Sequence, residues 1–269
     1  MSAVVERFLR EVGNSQRAVL GLDYDGTLAP FRRRPQDAFP YARMRTQLQQ
    51  IMASGRTRVV LVSGRPAADV RDMMALWPSP EIWGSHGWER LRSGVKLKRM
   101  PVDGSVAEML ARVRTALEAC ELLAHAEWKP ASVAVHWRDA SNAVDIEARA
   151  RAALSPLVAD PEFELMPIVE GLEWRCRRWH KGTALSAVIS EEMQGTPVAY
   201  VGDDQTDEDA FHVLAGRPCA LGLRVASGPV ATAAAAIVAP ASGVIRFLEQ
   251  WRVAWPGAIA SDVAGGRKS

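Results

Sequence analysis

Two hydrophobic patterns divide this chain. In the first, short apolar runs end in Gly, Asp or Ser and are followed by helical stretches. The runs are Ala18 to Tyr24, Thr57 to Ser63, Glu81 to Gly87, Pro197 to Asp203, Pro218 to Leu223 and Ala235 to Ala239. Strands that are apolar on both faces and joined by helices predict a parallel sheet covered on both sides. Ligands of such sheets sit at the carboxyl ends of the strands. That rule draws attention to Asp23, Ser63 and Asp203.

The second pattern occupies the middle of the chain. From Ser132 to Arg138, Val133, Val135 and Trp137 alternate with His136 and Arg138. From Leu172 to Arg177, Leu172, Trp174 and Cys176 alternate with Glu173, Arg175 and Arg177. A period of two predicts antiparallel strands with one solvated face. Ahead of them, Ser105-Val106-Ala107-Glu108 reads as a capping box opening a helix that runs to about Glu121. The expected fold class is therefore α/β, with a Rossmann-like parallel-sheet core over 1–98 and 180–269. An α+β domain over 99–179 is inserted into it.

Composition narrows this picture. The chain has 269 residues, 48% hydrophobic and 24% charged, with a formal charge of +2. That is too apolar and too nearly neutral for disorder, and no apolar run suits a membrane span. A pI near 8.5, with acids and bases interspersed, gives no reason to expect nucleic acid. Cys120, Cys176 and Cys219 are odd in number and widely spaced, which predicts free thiols in a reducing compartment. Glu6, Arg7, Arg10 and Glu11 interrupt the N-terminal segment, which reads as an amphipathic helix and not as a signal peptide. The C-terminal SDVAGGRKS reads as frayed. A cytoplasmic monomer is the expectation.

The chemistry lies in four short motifs. Asp23-Tyr24-Asp25-Gly26-Thr27-Leu28 puts two carboxylates at a strand end before a glycine turn, although an ordinary Asp-Gly turn looks the same. Ser63-Gly64-Arg65 offers a hydroxyl and a helix N-terminus to a phosphate, or simply an N-cap serine. Lys181-Gly182 opens a helix on re-entry to the core. Gly202 to Asp209 crowds acidic side chains at another strand end, where the helix dipole would favour them. Carboxylates so crowded repel one another unless a hard divalent cation takes some of them. Arg32-Arg33-Arg34 could clamp a phosphate or form a solvated loop.

These residues, in this order, resemble the haloacid dehalogenase superfamily, whose motifs are DxD, Ser/Thr, Lys and an acidic cluster. The insertion stands where that superfamily carries its larger, C2-type caps. More narrowly, GLDYDGTLAP, LVSGRP, GSHGWER, HKG and GDDQTDEDAF are similar to the trehalose-6-phosphate phosphatases. Glu127-Trp128-Lys129 with Val135 to Arg138 resembles that family's ExK…VHYR segment, and Glu173 with Arg175 its ExR strand. Arg177 to His180 depart from it where a turn with proline and glycine is expected.

The resemblance implies a Mg2+-dependent phosphatase that hydrolyses trehalose 6-phosphate through an aspartyl phosphate. Asp23 would be the nucleophile and Asp25 the general acid, then base, a role needing a raised pKa that nearby carboxylates and closure of the cap could supply. Ser63 and Lys181 would hold the phosphate. Asp23, the Asp25 backbone carbonyl and Asp203 would hold Mg2+, with Asp204 and Asp207 behind them. Gly64, Arg65, His86, Glu127, Lys129, Arg138, Glu173 and Arg175 would bind substrate. Other readings are a phosphatase for sucrose phosphate, a mannosyl-phosphoglycerate or a hexose phosphate, and a non-catalytic phosphosugar sensor.

Overall fold

A computed structural model of the chain describes residues 2–32, 34–138 and 140–255. Arg33 and the SDVAGGRKS tail fall outside them, while Arg32 and Arg34 are exposed. The chain divides into two compact units, 1–98 with 181–269, and 99–180.

The first unit begins with α1 (Ala3–Asn14), β1 (Ala18–Leu22), α2 (Ala42–Ala53), β2 (Thr57–Val62), α3 (Ala67–Met74) and β3 (Glu81–Gly84). Two short strands, β4 (Glu89–Leu91) and β5 (Lys98–Arg99), lead to the boundary. The second unit holds α4 (Gly104–Ala119), β6 (Ala126–Lys129), β7 (Ser132–His136), α5 (Ala143–Leu154), β8 (Phe163–Ile168) and β9 (Gly171–Cys176). The first resumes with α6 (Lys181–Ser190), β10 (Val198–Gly202), α7 (Glu208–Leu214), β11 (Ala220–Val225), β12 (Ala236–Val238) and α8 (Ser242–Val253).

Strand order in the first unit is β12-β11-β10-β1-β2-β3-β4-β5. Pairing is parallel from β12 through β3, and β4 returns antiparallel to β3. Alternation sorts the side chains of the central strands to two faces. Leu20, Leu22, Val59, Leu61, Ala199 and Val201 join a core with Phe8 of α1, Leu48 of α2, Val70 of α3 and Phe247 and Trp251 of α8. Helices α6 and α7 pack against β2, β10 and β11. The apolar positions of α1, Val5, Phe8, Leu9 and Val12, are all buried. That is the one-sided burial an amphipathic helix requires.

In the second unit β6, β7, β9 and β8 form an antiparallel sheet in that order. Val133, Val135, Leu172, Trp174 and Cys176 pack with Val113 and Leu117 of α4 and Ile146 of α5. Trp174 stacks on Phe163 with ring centroids 4.7 Å apart. Deleting a buried indole of this kind costs roughly 3–5 kcal/mol.

Two local expectations are corrected. Helix α4 is capped by Asp103, whose carboxylate accepts from the Val106 N–H, and the Ser105 hydroxyl donates to Asp103. The start lies two residues earlier than the Ser105 capping box implied, with Asp103 and not Ser105 taking the N-cap position. The polar face of the second sheet is also not solvated along β9, where Glu173 and Arg175 are buried. Arg177 and Arg178 form the turn after β9 without proline or glycine, and their side chains make ion pairs, Arg177 to Glu164 and Arg178 to Asp103 and Glu162.

Candidate active site

The first motif begins where β1 ends. The Asp23 N–H donates to the Val201 carbonyl at 2.9 Å, so the carboxylates of β1 and of the loop after β10 lie side by side. The chain then closes a turn through Leu28 and Ala29, whose N–H groups both donate to the Tyr24 carbonyl at 2.9 Å. Gly26 has a φ of +78°, and a Cβ placed on it would lie 2.0 Å from Asp203 Oδ2. The glycine thus serves both the turn and the approach of the acidic loop. Thr27 donates to Asp203 Oδ1 at 3.1 Å.

Lys181, the first residue of α6, is only 2% exposed. Its Nζ donates to Asp23 Oδ1 at 2.7 Å and to Asp207 Oδ1 at 2.8 Å, and lies 3.7 Å from Asp204 Oδ1. Asp207 Oδ1 also accepts from the buried Tyr200 hydroxyl at 2.7 Å, and its Oδ2 accepts from the Asp203 and Asp204 N–H groups. Asp204 accepts from the N–H and hydroxyl of Thr206, forming a reciprocal cap with Asp207.

Charge in this cluster is unbalanced. Burial, reinforced by Asp207, Asp203 and Asp204 and opposed by Lys181, holds Asp23 well above the usual carboxylate range. Burial pushes Asp203 up to about 7 and Asp207 to about 6. Burial would also raise Asp204, but Lys181 and the Thr206 hydrogen bonds hold it well below its ordinary value. Lys181 is held well above its ordinary value by Asp204, Asp207 and Asp23, against the effect of burial. One ammonium among four carboxylates leaves room for a hard cation. One oxygen each from Asp23, Asp203 and Asp207 lies within 4.8 Å of the others. Asp207 is the weakest donor of the three, because both its oxygens already accept hydrogen bonds. The donor set therefore fits Mg2+ best through Asp23 and Asp203.

The second motif lies at the end of β2. Ser63 does not cap α3, whose N-cap is Pro66; its hydroxyl accepts from the Arg65 N–H at 3.1 Å. A Cβ on Gly64 would lie 2.8 Å from the His86 ring, so the glycine makes room for that imidazole. His86 itself has a left-handed φ of 56°. The expected crowding of Asp25 by carboxylates is replaced by an ion pair. Arg65 Nε meets Asp25 Oδ2 and its Nη2 meets Oδ1, both at 2.6 Å.

On the second unit's sheet, cross-strand register collects polar side chains from separate strands. Lys129 stands opposite Ser132, Glu173 opposite Ala134, and Arg175 opposite Glu164. Glu173 accepts from the Ser132 hydroxyl at 2.6 Å and from Lys129 Nζ at 3.2 Å. Arg175 Nε donates to Glu164 Oε1 at 2.6 Å. Glu127 meets His136 at 3.0 Å. Arg138 lies in the turn beyond β7 and pairs with Glu170 at 2.8 Å. Of the residues expected to bind sugar, Glu173 and Lys129 come together, and Arg138 turns to a different partner.

Thr27, Tyr200, Ser132 and Glu164 complete these clusters without having stood out in the sequence. Thr27 stands two residues beyond Asp25, inside the first motif but without an assigned role. Tyr200, inside an apolar strand, gave no local signal.

A parallel sheet with Asp23, Lys181 and the acidic loop gathered at its strand ends defines a haloacid-dehalogenase-type hydrolase fold. A haloacid dehalogenase-like hydrolase from Bacteroides thetaiotaomicron superposes with a TM-score of 0.63 at 17% identity, covering 87% of this chain and 99% of that one. The C-terminal domain of the C. albicans trehalose-6-phosphate phosphatase superposes with a TM-score of 0.76 at 21% identity, covering 92% and 96%. At those identities the likeness speaks to the fold. The trehalose-phosphatase family matches residues 21–236, and the chain belongs to that family. Trehalose-phosphate phosphatase B of Arabidopsis thaliana is 29% identical over 258 residues, 87% of this chain and 66% of that protein. The chain thus spans about two thirds of the plant protein. No helix among the described residues is long and apolar enough to cross a membrane.

Proposed function

We propose that this chain hydrolyses trehalose 6-phosphate to trehalose and inorganic phosphate, with Asp23 as nucleophile. The observation that carries the reading is the buried Lys181, bonded at once to Asp23 and Asp207 in a cluster short of positive charge. Asp23 attacks phosphorus in line while Asp25 gives its proton to the departing sugar oxygen. Water then attacks the aspartyl phosphate, Asp25 takes its proton, and inorganic phosphate leaves as the Asp23 carboxylate re-forms. Lys181 and Ser63 hold phosphate oxygens as charge builds on them.

Asp23, the Asp25 backbone carbonyl and Asp203 would hold Mg2+, with Asp204 and Asp207 orienting Lys181 and the loop. When bound, the ion supplies the positive charge that keeps Asp23 ionised and polarises the phosphoryl group. We assign 99–180 as the cap that selects the sugar, through Glu173, Lys129 and Glu127, whose carboxylates accept from hydroxyls while ammonium donates. Three free cysteines support a reducing, cytoplasmic setting.

The test is phosphate release from trehalose 6-phosphate beside sucrose 6-phosphate, glucose 6-phosphate and a mannosyl-phosphoglycerate, with Mg2+ and then with EDTA. A kcat/KM preference for trehalose 6-phosphate of at least about 10²-fold, abolished by EDTA, is expected. A flat panel would reduce the assignment to a general sugar phosphatase. Activity undiminished by EDTA would remove the metal assignment.

A further inference from the structure

Resting on the reading of Asp25 as proton donor to the leaving oxygen, we propose that Arg65 is a positioning residue for Asp25 and not a ligand of the substrate's phosphate. The backbone around Asp25 is fixed by the turn, with the Gly26 N–H donating to the Ala29 carbonyl at 2.7 Å. The carboxylate, 26% exposed, is fixed from the neighbouring strand end. Arg65 meets both of its oxygens at 2.6 Å from one edge of the guanidinium. A planar fork against a carboxylate sets orientation as well as distance. Both bonds are made to the ionised form; when Asp25 carries the proton it donates, one oxygen gives up its guanidinium bond and the other keeps it.

Arg65 is itself held on several sides. Its N–H donates to Ser63 Oγ at 3.1 Å and its carbonyl accepts from the Ser85 N–H at 2.8 Å. Its guanidinium carbon lies 5.7 Å from the Tyr24 ring centroid, and Nη1 lies 3.8 Å from Met73 Sδ. The Nε–Nη2 edge, the one suited to clamping a phosphate, is spent on Asp25. Ser63 and Ser85 therefore anchor the arginine that aims the acid, linking the ends of β2 and β3 to the proton-transfer step of β1.

The chemistry separates the two roles. A sugar oxygen leaves badly unless it receives Asp25's proton as its bond to phosphorus breaks. Nitrophenolate leaves without that proton. In kcat/KM, which covers formation of the aspartyl phosphate and not its shared hydrolysis by Asp25-activated water, a mispositioned acid thus penalises trehalose 6-phosphate and spares p-nitrophenyl phosphate, whereas a lost phosphate ligand penalises both. Loss of about 1 Å in placement can cost about 10²-fold.

The experiment measures kcat/KM on both substrates, and inhibition by inorganic phosphate, for the Mg2+-loaded full chain carrying Arg65→Ala, Arg65→Lys or Asp25→Ala. Both Arg65 variants are expected to lose about 10²-fold on trehalose 6-phosphate and less than about 3-fold on p-nitrophenyl phosphate, with the phosphate Ki nearly unchanged. Equal losses on both substrates with a weakened phosphate Ki would overturn the proposal in favour of direct phosphate binding. Full recovery in Arg65→Lys would overturn it too, since charge without the fork would then suffice. Asp25→Ala serves as the control. If it shows no dependence on the leaving group, the reading of Asp25 falls; if it does and the Arg65 variants do not, only the inference about Arg65 falls. A wild-type chain inert on trehalose 6-phosphate would instead remove the substrate assignment before any variant is compared.

Discussion

At the strand ends of the first unit, four carboxylates crowd together with a single ammonium among them, whereas on the second unit's sheet the buried charges meet partners of opposite sign. Asp23, Asp204 and Asp207 share Lys181, and Asp203 joins them through carboxylate oxygens clustered with those of Asp23 and Asp207. Glu173 has Lys129 and Ser132, and Arg175 has Glu164. A buried cluster short of positive charge stores an electrostatic cost that a cation or a phosphoryl group's ligands can relieve. A balanced set holds its shape without any ligand, which suits the recognition of a neutral polyol. On the proposed function the first serves the chemistry and the second serves shape and hydrogen bonding.

Replacing the nucleophile breaks the comparison most severely. Asp23→Asn should lower kcat on trehalose 6-phosphate by on the order of 10⁴–10⁶-fold, the range seen when a catalytic-triad residue is removed. The same change deletes a buried negative charge whose proton affinity burial already raises. The variant should therefore be at least as heat-stable as the parent in EDTA, as thermal unfolding by circular dichroism would record. Appreciable residual turnover would sink the nucleophile assignment, and a sharp loss of stability would contradict the account of the cluster's charge.

A smaller effect separates recognition from chemistry. Glu173→Ala removes the acceptor shared by Ser132 and Lys129 and leaves Lys129 without that partner. We expect kcat/KM on trehalose 6-phosphate to fall about 10²-fold while p-nitrophenyl phosphate changes little, as for a site that reads hydroxyls by hydrogen bonds. Equal losses would show that Glu173 does not contact sugar.

Acidity offers a third way to set the regions apart. Asp203 titrates at about 7 and Asp207 at about 6 when folded, against ~3.9 for an ordinary aspartate. Between those values the native state binds more protons than the unfolded chain, so stability of the metal-free protein should fall as pH rises through that window. Mg2+ competes with those protons, and its stabilisation should grow over the same interval. At about 100 times Kd it adds ~2.7 kcal/mol. Thermal unfolding at about pH 5 and about pH 8, with Mg2+ or EDTA, checks this; a metal-free Tm that does not fall between the two would refute it.

The two regions were also unequally legible. Asp23 and Asp203 announce themselves, because each follows an apolar strand and β1 and β10 are parallel neighbours. Strands β7 and β9 show in the alternation of Val133, Val135, Leu172 and Trp174. What alternation cannot show is which polar residues meet. The partners of Glu173 and Arg175 come from β6, β7 and β8, and cross-strand register is a long-range property. The charged face consequently read as solvated. Tyr200 escaped notice for a related reason, since its hydroxyl matters only through Asp207, at a hydrogen-bond distance of 2.7 Å. Strands β4 and β5, with two or three residues each, are too short to carry a period.

Arg138 tests the boundary of the recognition set with the smallest expected effect. The family resemblance groups it with Glu173, yet its guanidinium pairs with Glu170, whose side chain is 54% exposed. An exposed pair of this kind contributes ~0–1 kcal/mol. If Arg138 does no more than that, Arg138→Ala should move Tm slightly, and a double-mutant cycle with Glu170→Ala should return a coupling within the same range. Trehalose 6-phosphate kcat/KM would then drop by less than about 5-fold, since 1 kcal/mol corresponds to roughly that factor. A loss matching that of Glu173→Ala, with Tm unmoved, would instead join Arg138 to the sugar-recognising residues. The Glu170 pair would then be a contact that the substrate displaces, and the second unit would hold one charge in reserve for its ligand, as the first unit does throughout.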